Sequence, residues 1–213
     1  MPDYSPPADE GLKLICCDAS LLVVNKPAGL LSVPGRGANK QDCLSARVIR
    51  DFPDALTVHR LDMATSGLIV FARGIDMQRR LSEMFRERQV QKSYVAIVEG
   101  VLEKQNGEIA LPIGADWINR PRQKVDIAQG KAALTRYRLL ACSENSSRVA
   151  LEPVTGRTHQ LRVHMAAIGH PILGDALYGD ALGAPGLMLH AQSLSFLHPV
   201  SRMPLNLQCS AAF

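Results

Sequence analysis

The sequence has no hydrophobic run long enough to cross a membrane. Its longest wholly apolar stretches, such as Gly67–Ala72, fall far below the roughly 20 residues that span a bilayer. The first residues, Met1–Pro7, also lack the basic-then-apolar pattern of a secretory signal. With 213 residues, 46% of them hydrophobic, the chain can fill a core of good size. We therefore expect a globular protein of the cytoplasm that has no membrane partner.

Motifs for metals, cofactors and disulfides are also missing. The five cysteines are an odd number, two of them adjacent, and none is in a Cys-x-x-Cys pair, which excludes a disulfide framework or a zinc knuckle. His159 and His164 are five positions apart, whereas zinc-binding helices space their histidines by four. The loop Ser32–Gly37 matches neither a P-loop nor a dinucleotide fingerprint, and Ser66 is not in a Gly-x-Ser-x-Gly elbow. We expect no metal and no cofactor.

Positive charge is concentrated in two segments, although the net charge is only +4. Six basic residues and one acid lie within Ile118–Arg138, and no acid lies between Glu152 and Asp175. Such stretches suit a phosphate-bearing partner, and a solvated face on a mildly basic protein is an equal alternative. The candidate RNA-binding residues in the two segments are Arg120, Arg122, Lys124, Arg157 and His159.

Apolar periodicity predicts short strands and three helices. Strands are expected over Leu12–Cys17, Leu21–Asn25, Leu68–Ala72, Tyr94–Val98, Ala132–Leu140 and Arg148–Glu152. Helices are expected after Asp42 and Asp76, each the candidate N-cap of its helix, and over His159–Ile168 with Gly169 as the stop. Because several neighbouring strands are joined by short turns, the predicted class is α+β, with a mixed, largely antiparallel central sheet flanked by helices and loops.

The chain carries no sign of an internal division. It has no repeat, low-complexity tract or long linker. Residues 1–10 hold three prolines and lack periodicity, which predicts a flexible N-terminal arm. Residues 11–213 are predicted to form a single catalytic domain.

The most unusual segment is Val58–Val70, in which a polar loop with Asp62 leads directly into an apolar strand and Arg60 is close by. Catalytic groups are often held in this way, at the edge of a rigid element. A carboxylate that is poorly solvated but still ionised is a nucleophile or a base. The alternative is that Asp62 only caps a turn. No second acid stands out, so the two-carboxylate geometry of ordinary glycosidases is not evident.

A second polar segment, Thr155–His164, places Arg157, His159 and Arg162 on a loop that enters a helix. Backbone N–H groups at such a position also favour anions. Taken one at a time, the histidines fit structural roles, in which both ring nitrogens are satisfied, better than functional ones. The segment therefore predicts an anion site only in combination with the other basic residues.

Taken together, the motifs resemble the RluA family of RNA pseudouridine synthases. The matching segments are Val23–Gly35, His59–Leu68, Lys92–Gly100, Thr155–His164 and Gly169–Asp175. Motifs in this order and spacing are specific, whereas a single Lys-x-Tyr in a strand would be weak. The segment Asp116–Val125, and an N-terminal arm too short for an S4 RNA-binding domain, resemble the family member that acts on both ribosomal and transfer RNA.

The resemblance implies a pseudouridine synthase fold and the isomerisation of specific loop uridines in 23S ribosomal RNA, transfer RNA or both, without a cofactor. It implies that Asp62 is the catalytic carboxylate, that Tyr94 packs against the target uracil and that Arg162 pairs with Asp62. Arg60 would lie next to the displaced nucleotide. The expected partner is RNA, and the protein is expected to act as a monomer.

Several alternatives stay open at the level of sequence. Asp62 could attack C1′ of the ribose or act as a base at C2′. A non-catalytic RNA-binding or assembly module would use the same basic surface without chemistry. A nucleic-acid hydrolase or base-excision glycosylase would instead release a free product.

Overall fold

The computed structural model describes residues 4–179 and 184–213, so that the first three residues of the N-terminal arm lie outside the described part. The chain divides into two compact units. The first unit runs up to Lys92 and includes Ala191–Ala212, and the second comprises Ser93–His190 with Phe213. The single domain over residues 11–213 stays a prediction.

The described residues form twelve strands, three α-helices and one short 3₁₀ helix at Ala38–Lys40. The helices are α1 (Leu44–Asp51), α2 (Ile75–Arg86) and α3 (Gln160–Ala167). The strands are β1 (Leu14–Cys17), β2 (Leu21–Lys26), β3 (Ala55–Thr57), β4 (Ser66–Arg73), β5 (Gln91–Glu99), β6 (Asn106–Ile109), β7 (Ile113–Ala115), β8 (Gln123–Val125), β9 (Thr135–Cys142), β10 (Ser146–Pro153), β11 (Leu189–Leu197) and β12 (Pro204–Gln208).

The sheet of the first unit begins with the predicted hairpin. Strands β1 and β2 pair antiparallel, and the Asp18 carboxylate holds their turn by accepting the N–H groups of Ser20 at 2.7 Å and Leu21 at 3.0 Å. Strand β4 pairs antiparallel with β2 and with the short β3, and it also neighbours β11, which pairs antiparallel with β12. Strand β4 is thus the central strand of this unit.

Strand β4 is apolar from Gly67 to Ala72, between its polar end residues, because both of its faces are buried there. Its even-numbered positions Leu68 and Val70 pack in one cluster with Leu81 of α2. Its odd-numbered positions Ile69 and Phe71 pack in another cluster with Leu44 and Val48 of α1. This alternation follows the two-residue repeat of a strand, and it places one helix on each face of the sheet.

The predicted helices α1 and α2 are confirmed, but neither has the predicted acidic cap. Cys43 is the N-cap residue of α1, and the Asp42 carboxylate instead accepts two hydrogen bonds from the Arg47 guanidinium, both at 2.8 Å. The charged guanidinium of Arg47, in the first turn of the helix, competes successfully for the carboxylate. Helix α2 begins at Ile75 after Gly74, so Asp76 lies in its first turn.

The second unit is built on an antiparallel sheet in the order β5-β10-β9-β6. Its buried side chains include Val95, Val149 and Leu151. Strand β9 begins three residues later than predicted because Leu134 donates its N–H to the Thr155 hydroxyl rather than to a strand partner. A separate two-stranded hairpin joins β7 and β8.

The N-terminal arm makes specific contacts in its described part. The Tyr4 hydroxyl donates to the Asp42 carbonyl at 2.9 Å and accepts the Leu31 N–H at 3.1 Å. Arg47 donates to the carbonyls of Pro7 and Ala8. These bonds tie residues 4–8 to the start of α1, while the flexibility of the arm stays a prediction.

The predicted fold class, α+β with a largely antiparallel sheet, is confirmed, since the strand pairs above are antiparallel and helices pack on the sheet. All five cysteines are free thiols. Across residues 4–179 and 184–213, no helix combines the length and apolar character needed to traverse a bilayer.

Two glycines with positive φ test how tightly the first unit is built around β4. Gly67 has φ 112°, and a Cβ there would collide with the Ala191 backbone, whereas Gly74 has φ 80° and open space around it. Gly74, with ψ 164°, is in a backbone region that is essentially restricted to glycine, so Gly74→Ala should lower the unfolding free energy by about 1–3 kcal/mol through backbone strain alone. Gly67→Ala should lower it clearly more, because backbone atoms must move.

Urea denaturation of the two variants provides the comparison. Equal losses of unfolding free energy for the two variants would show that the backbone around Ala191 can move at no cost in free energy.

Candidate active site

Asp62 lies in the loop that joins β3 to β4 and is half-buried. Its carbonyl accepts the N–H of Thr65 at 3.1 Å, which forms a tight turn. The preceding residue, Leu61, is fixed through both backbone groups by the buried Ser32 side chain, whose hydroxyl donates to the Leu61 carbonyl at 2.7 Å and accepts the Leu61 N–H at 3.1 Å. The backbone of the Asp62 turn is therefore held on either side of the carboxylate.

Lys26, at the end of β2, is completely buried beneath the same loop. Its ammonium group donates to the carbonyls of Pro27 at 2.9 Å, Leu30 at 2.7 Å and Met63 at 3.0 Å. Three acceptors match the three N–H donors of an ammonium. Burial lowers the pKa of Lys26 to about 7, and the negative charge of Asp62 acts in the opposite direction. Lys26 thus joins the Asp62 loop to the Pro27–Leu30 turn and places a cation within the field of Asp62.

His59 anchors the start of the motif to the sheet. Its Nε2 accepts the N–H of Val70 in β4 at 2.9 Å, and its ring stacks on Phe85 with 4.4 Å between centroids. Burial, reinforced by the charge of Lys92, lowers the pKa of His59 to about 3. The ring is therefore neutral, with its proton on Nδ1, and it serves as a hydrogen-bond acceptor where β3 has ended.

The structure places Arg60 and Asp62 on one loop, with Arg60 exposed. The sequence motifs predicted no role for Lys26, Ser32 or His59, although all three lie in the segments that carry the family resemblance. A lysine that closes the apolar strand Leu21–Val24 after Asn25 and is followed by Pro-Ala-Gly is the one sequence signal that could have identified Lys26. What it could not supply is the identity of the three carbonyl acceptors.

Tyr94 lies on β5 of the second unit, as predicted, and is half-buried. It is paired in register with Leu151 of β10. Its place on a strand fixed by a sheet partner gives its ring a defined position. Its predicted contact with uracil stays a prediction.

Arg162 is buried on the first turns of α3 and forms a bidentate ion pair with the buried carboxylate of Asp175. Its Nε donates at 2.8 Å and its Nη2 at 2.7 Å. Asp175 also accepts the N–H groups of Leu177 and Tyr178, which fixes the carboxylate itself. The orientation of the guanidinium plane is therefore set by Asp175. This residue ends the matching segment Gly169–Asp175, and the sequence analysis predicted no role for it. The predicted pairing of Arg162 with Asp62 stays a prediction.

Tyr178 connects α3 to the β7–β8 hairpin. Its hydroxyl accepts the N–H of Gln123 at 2.7 Å and lies 2.7 Å from Nδ1 of His159. The guanidinium groups of Arg162 and Arg122 lie 5.2 and 5.4 Å from its ring centroid. Burial raises the pKa of Tyr178, so that the phenol stays protonated. One side chain thus joins a predicted catalytic residue to two predicted RNA-binding residues.

The remaining predicted RNA-binding residues are at the surface. Arg120, Arg122 and Lys124 are exposed on the β7–β8 hairpin. Arg157 is exposed too, and its Nε donates to the Ala132 carbonyl at 3.1 Å. Their RNA contacts stay predictions.

The two histidines considered as metal ligands are engaged by protein groups. His164 is buried between the Thr135 hydroxyl and the Leu111 carbonyl, each at 2.9 Å, and His159 meets Tyr178 as described. Among the described residues, no cluster of three His, Cys, Asp or Glu side chains is arranged to hold a metal ion.

The fold and the motif residues define an RNA-modifying class of enzyme, and comparison with known proteins identifies it. The model of the RNA pseudouridylate synthase family matches residues 20–167. The dual-specificity RNA pseudouridine synthase RluA of Escherichia coli K12 is 46% identical over 217 aligned positions, covering 100% of this chain and 99% of the relative. The RluA of Yersinia pestis is 50% identical and covers 92% of this chain and 97% of the relative.

A solved structure, human RNA pseudouridylate synthase domain containing 1, superposes with a TM-score of 0.81 at 30% identity, over 98% of this chain and 87% of that one. The chain belongs to the RNA pseudouridine synthase family, whose members are isomerases that convert uridine to pseudouridine in RNA. The family membership predicted from the motifs is thereby confirmed.

Two ion pairs of nearly equal length test the importance of burying Asp175. The Arg162–Asp175 pair is buried, at 2.7 Å, whereas the Arg136–Glu108 pair, at 2.8 Å, has both side chains more than half exposed. Asp175→Asn should lower the unfolding free energy by roughly 3–5 kcal/mol, because it removes the buried negative charge to which two N–H groups of the buried guanidinium donate. Glu108→Gln should lower it by less than about 1 kcal/mol. Urea denaturation measures both losses, and similar losses would contradict this view of the buried pair.

The pH dependence of stability tests the environment of Lys26. Its pKa is about 7 in the folded protein and 10.5 when unperturbed, so the unfolded chain binds more protons between these values. The unfolding free energy of wild type relative to Lys26→Met should therefore rise with pH from about 7 to about 10, by at most about 1.4 kcal/mol per unit. Denaturation at pH 6, 8 and 9.5 gives the slope. A flat difference across this range would show that burial of the ammonium carries no free-energy cost.

Proposed function

We propose that this chain isomerises specific loop uridines to pseudouridine in 23S ribosomal RNA, transfer RNA or both, with Asp62 as the catalytic carboxylate. The observation that carries the proposal is the half-buried Asp62 in a family motif whose backbone is fixed by Ser32 and Lys26. The names of the RluA relatives describe dual specificity, which supports both RNA classes as substrates.

The reaction moves one bond and needs no external group. The N1–C1′ bond of uridine breaks, the uracil turns, and C5 bonds to C1′. The proton on C5 leaves and N1 takes up a proton, so atoms and charge balance without redox change. One carboxylate, one surface for the base and one cation are sufficient for these steps, and we propose that no metal or cofactor takes part.

Asp62 acts either by attack on C1′ or as a base that removes the proton on C2′. Both roles need an ionised carboxylate whose position does not depend on solvent. The side chain of Lys26 is buried within the electrostatic field of the same carboxylate. The bonds from Lys26 to Met63 and from Ser32 to Leu61 support the fixed position.

Tyr94 and Arg162 complete the proposed catalytic set. Tyr94 would offer its ring to the detached uracil, with its hydroxyl near C5 where a proton must leave. Arg162 would serve as the cation that partners the Asp62 carboxylate, and its orientation by Asp175 supports a role that needs a fixed guanidinium plane. These two assignments rest on the family motifs.

RNA binding would involve the exposed cations Arg60, Arg120, Arg122, Lys124 and Arg157, together with His159. The target uridine must leave its stack to reach a carboxylate, which is least costly in a hairpin loop. Arg60 is exposed and lies two residues before Asp62 in the chain. It would occupy the space that the uridine vacates. We further propose that the protein works as a monomer in the cytoplasm.

The direct test is incubation of the purified protein with unmodified ribosomal and transfer RNA, without added metal or cofactor. Detection of pseudouridine by mass-shift labelling supports the proposal. RNA binding without pseudouridine would indicate a non-catalytic module, and release of free uracil would indicate a glycosylase.

Asp62→Asn tests the carboxylate itself. The change preserves size and hydrogen bonding but removes the negative charge, so turnover should fall by about four orders of magnitude or more, while RNA affinity and fold are largely kept. Asp76→Asn, at an exposed acid on α2 of the same unit, is the matched control and should retain wild-type turnover. Turnover by Asp62→Asn within about tenfold of wild type would remove Asp62 from the mechanism.

A further inference from the structure

The tip of the β7–β8 hairpin exposes two large apolar side chains. Trp117, the only tryptophan of the chain, is 70% exposed, and Ile118 is 94% exposed. Tryptophan is highly buried on average, and adjacent exposed apolar side chains are more informative than a single one. Neither side chain belongs to the proposed catalytic set, and neither is explained by packing within the second unit.

The tip is ordered by its own hydrogen bonds. The Asp116 N–H donates to the Arg122 carbonyl at 3.1 Å, and the Arg122 N–H donates to the Asn119 carbonyl at 3.0 Å. The Asn119 side chain donates to the Asp116 carboxylate at 2.9 Å. At the other end, Gln123 is held by Tyr178. The indole is thus presented on a defined turn and not on an unstructured loop.

One face of the indole is already occupied. The Arg120 guanidinium lies 3.7 Å from the ring centroid, which is stacking distance for a cation on an aromatic face. Since 70% of Trp117 is nevertheless exposed, the opposite face is open. A flat partner on that face would complete a stack of guanidinium, indole and partner.

The exposed cations near Trp117 indicate what kind of ligand the open face of the indole would bind. Arg120, Arg122 and Lys124 are exposed on this hairpin, and the nearby Asp116 carboxylate is engaged by Asn119. Cations beside an exposed aromatic ring fit a ligand that is both flat and anionic. An unpaired nucleotide has both properties, since its base stacks while its phosphates meet the cations.

We propose that Trp117 is a base-stacking platform for an unpaired nucleotide of the substrate loop other than the isomerised uridine. This rests on the proposed function, because it takes the substrate to be an RNA loop. Stacking uses the faces of a base and not its hydrogen-bonding edges, so it tolerates any sequence. Such a contact would let one hairpin bind loops of different sequence.

The first experiment uses the intrinsic fluorescence of wild type, which reports on the tip alone because Trp117 is the only tryptophan. Titration with a stem-loop RNA should quench and saturate the emission. A fully paired duplex of the same length should quench much less, because it offers no unpaired base. No quenching by the stem-loop would overturn the proposal.

The second experiment compares KM, kcat and salt dependence on the same stem-loop. Trp117→Ala should raise KM by between about 5-fold and 100-fold, with kcat and the salt slope unchanged because no charge is lost. Trp117→Phe should recover most of the affinity. The control Ile127→Ala removes a 75%-exposed side chain just after β8, away from the tip, and should behave as wild type.

A charge variant separates stacking from phosphate contact. The double variant Arg122→Ala, Lys124→Ala should flatten the dependence of log affinity on log salt by about 1.4 for two phosphate contacts to a single strand. A Trp117→Ala variant that flattened the slope similarly, lowered kcat alone, or matched Ile127→Ala would overturn the stacking role. So would a change in oligomeric state with RNA affinity intact, which would indicate a protein-binding tip.

The two proposals fail in different ways. If wild type quenches on the stem-loop but forms no pseudouridine, the proposed function fails while the stacking platform stands. If pseudouridine forms with unaltered fluorescence and unaltered KM in Trp117→Ala, only the platform fails.

Discussion

The buried ammonium of Lys26 is the interaction on which the Asp62 loop depends. A lysine side chain without water is unfavourable unless its donors are satisfied, and here three carbonyls, including that of Met63, satisfy them. The same three bonds close the loop on the end of β2. Removing the ammonium would leave three carbonyls without this donor. It would also remove a buried cation from the electrostatic field of Asp62. One nitrogen atom therefore contributes both to the shape of the loop and to the electrostatics around Asp62.

The second unit uses the same principle with the charges reversed. The buried carboxylate of Asp175 fixes Arg162 through two bonds and its own following turn through two more. Buried ion pairs contribute little net stability compared with apolar packing, but they define geometry. By contrast, the cations of the β7–β8 hairpin are exposed, which fits the proposal that they contact a flexible polyanion. Burial therefore distinguishes Arg162, whose guanidinium is held in a fixed orientation, from the hairpin cations, whose orientation is not fixed by burial.

Local pattern was sufficient to predict the strands and helices that have a clear repeat. Strand β4 and helix α2 were recognisable because their apolar positions follow periods of two and 3.6 residues. Strands β11 and β12 have weaker patterns, and β11 also neighbours β4, which is distant in the chain. The predicted cap Asp42 failed for a local reason, since Arg47, five residues further on, donates to its carboxylate. The pairing of distant strands, by contrast, is a tertiary effect that a window of neighbours does not contain.

The sequence by itself determined the family, the fold class and the candidate residues Asp62, Tyr94 and Arg162, because their motifs are contiguous in the chain. Only the tertiary structure decided which hydrogen bonds and ion pairs fix the segments that carry these residues. The acceptors of Lys26 come from two separate segments, and the partner of Arg162 lies thirteen residues away, beyond the end of its helix. The exposure of Trp117 was also decided there, because burial depends on which distant segments cover a side chain, and no local pattern encodes that.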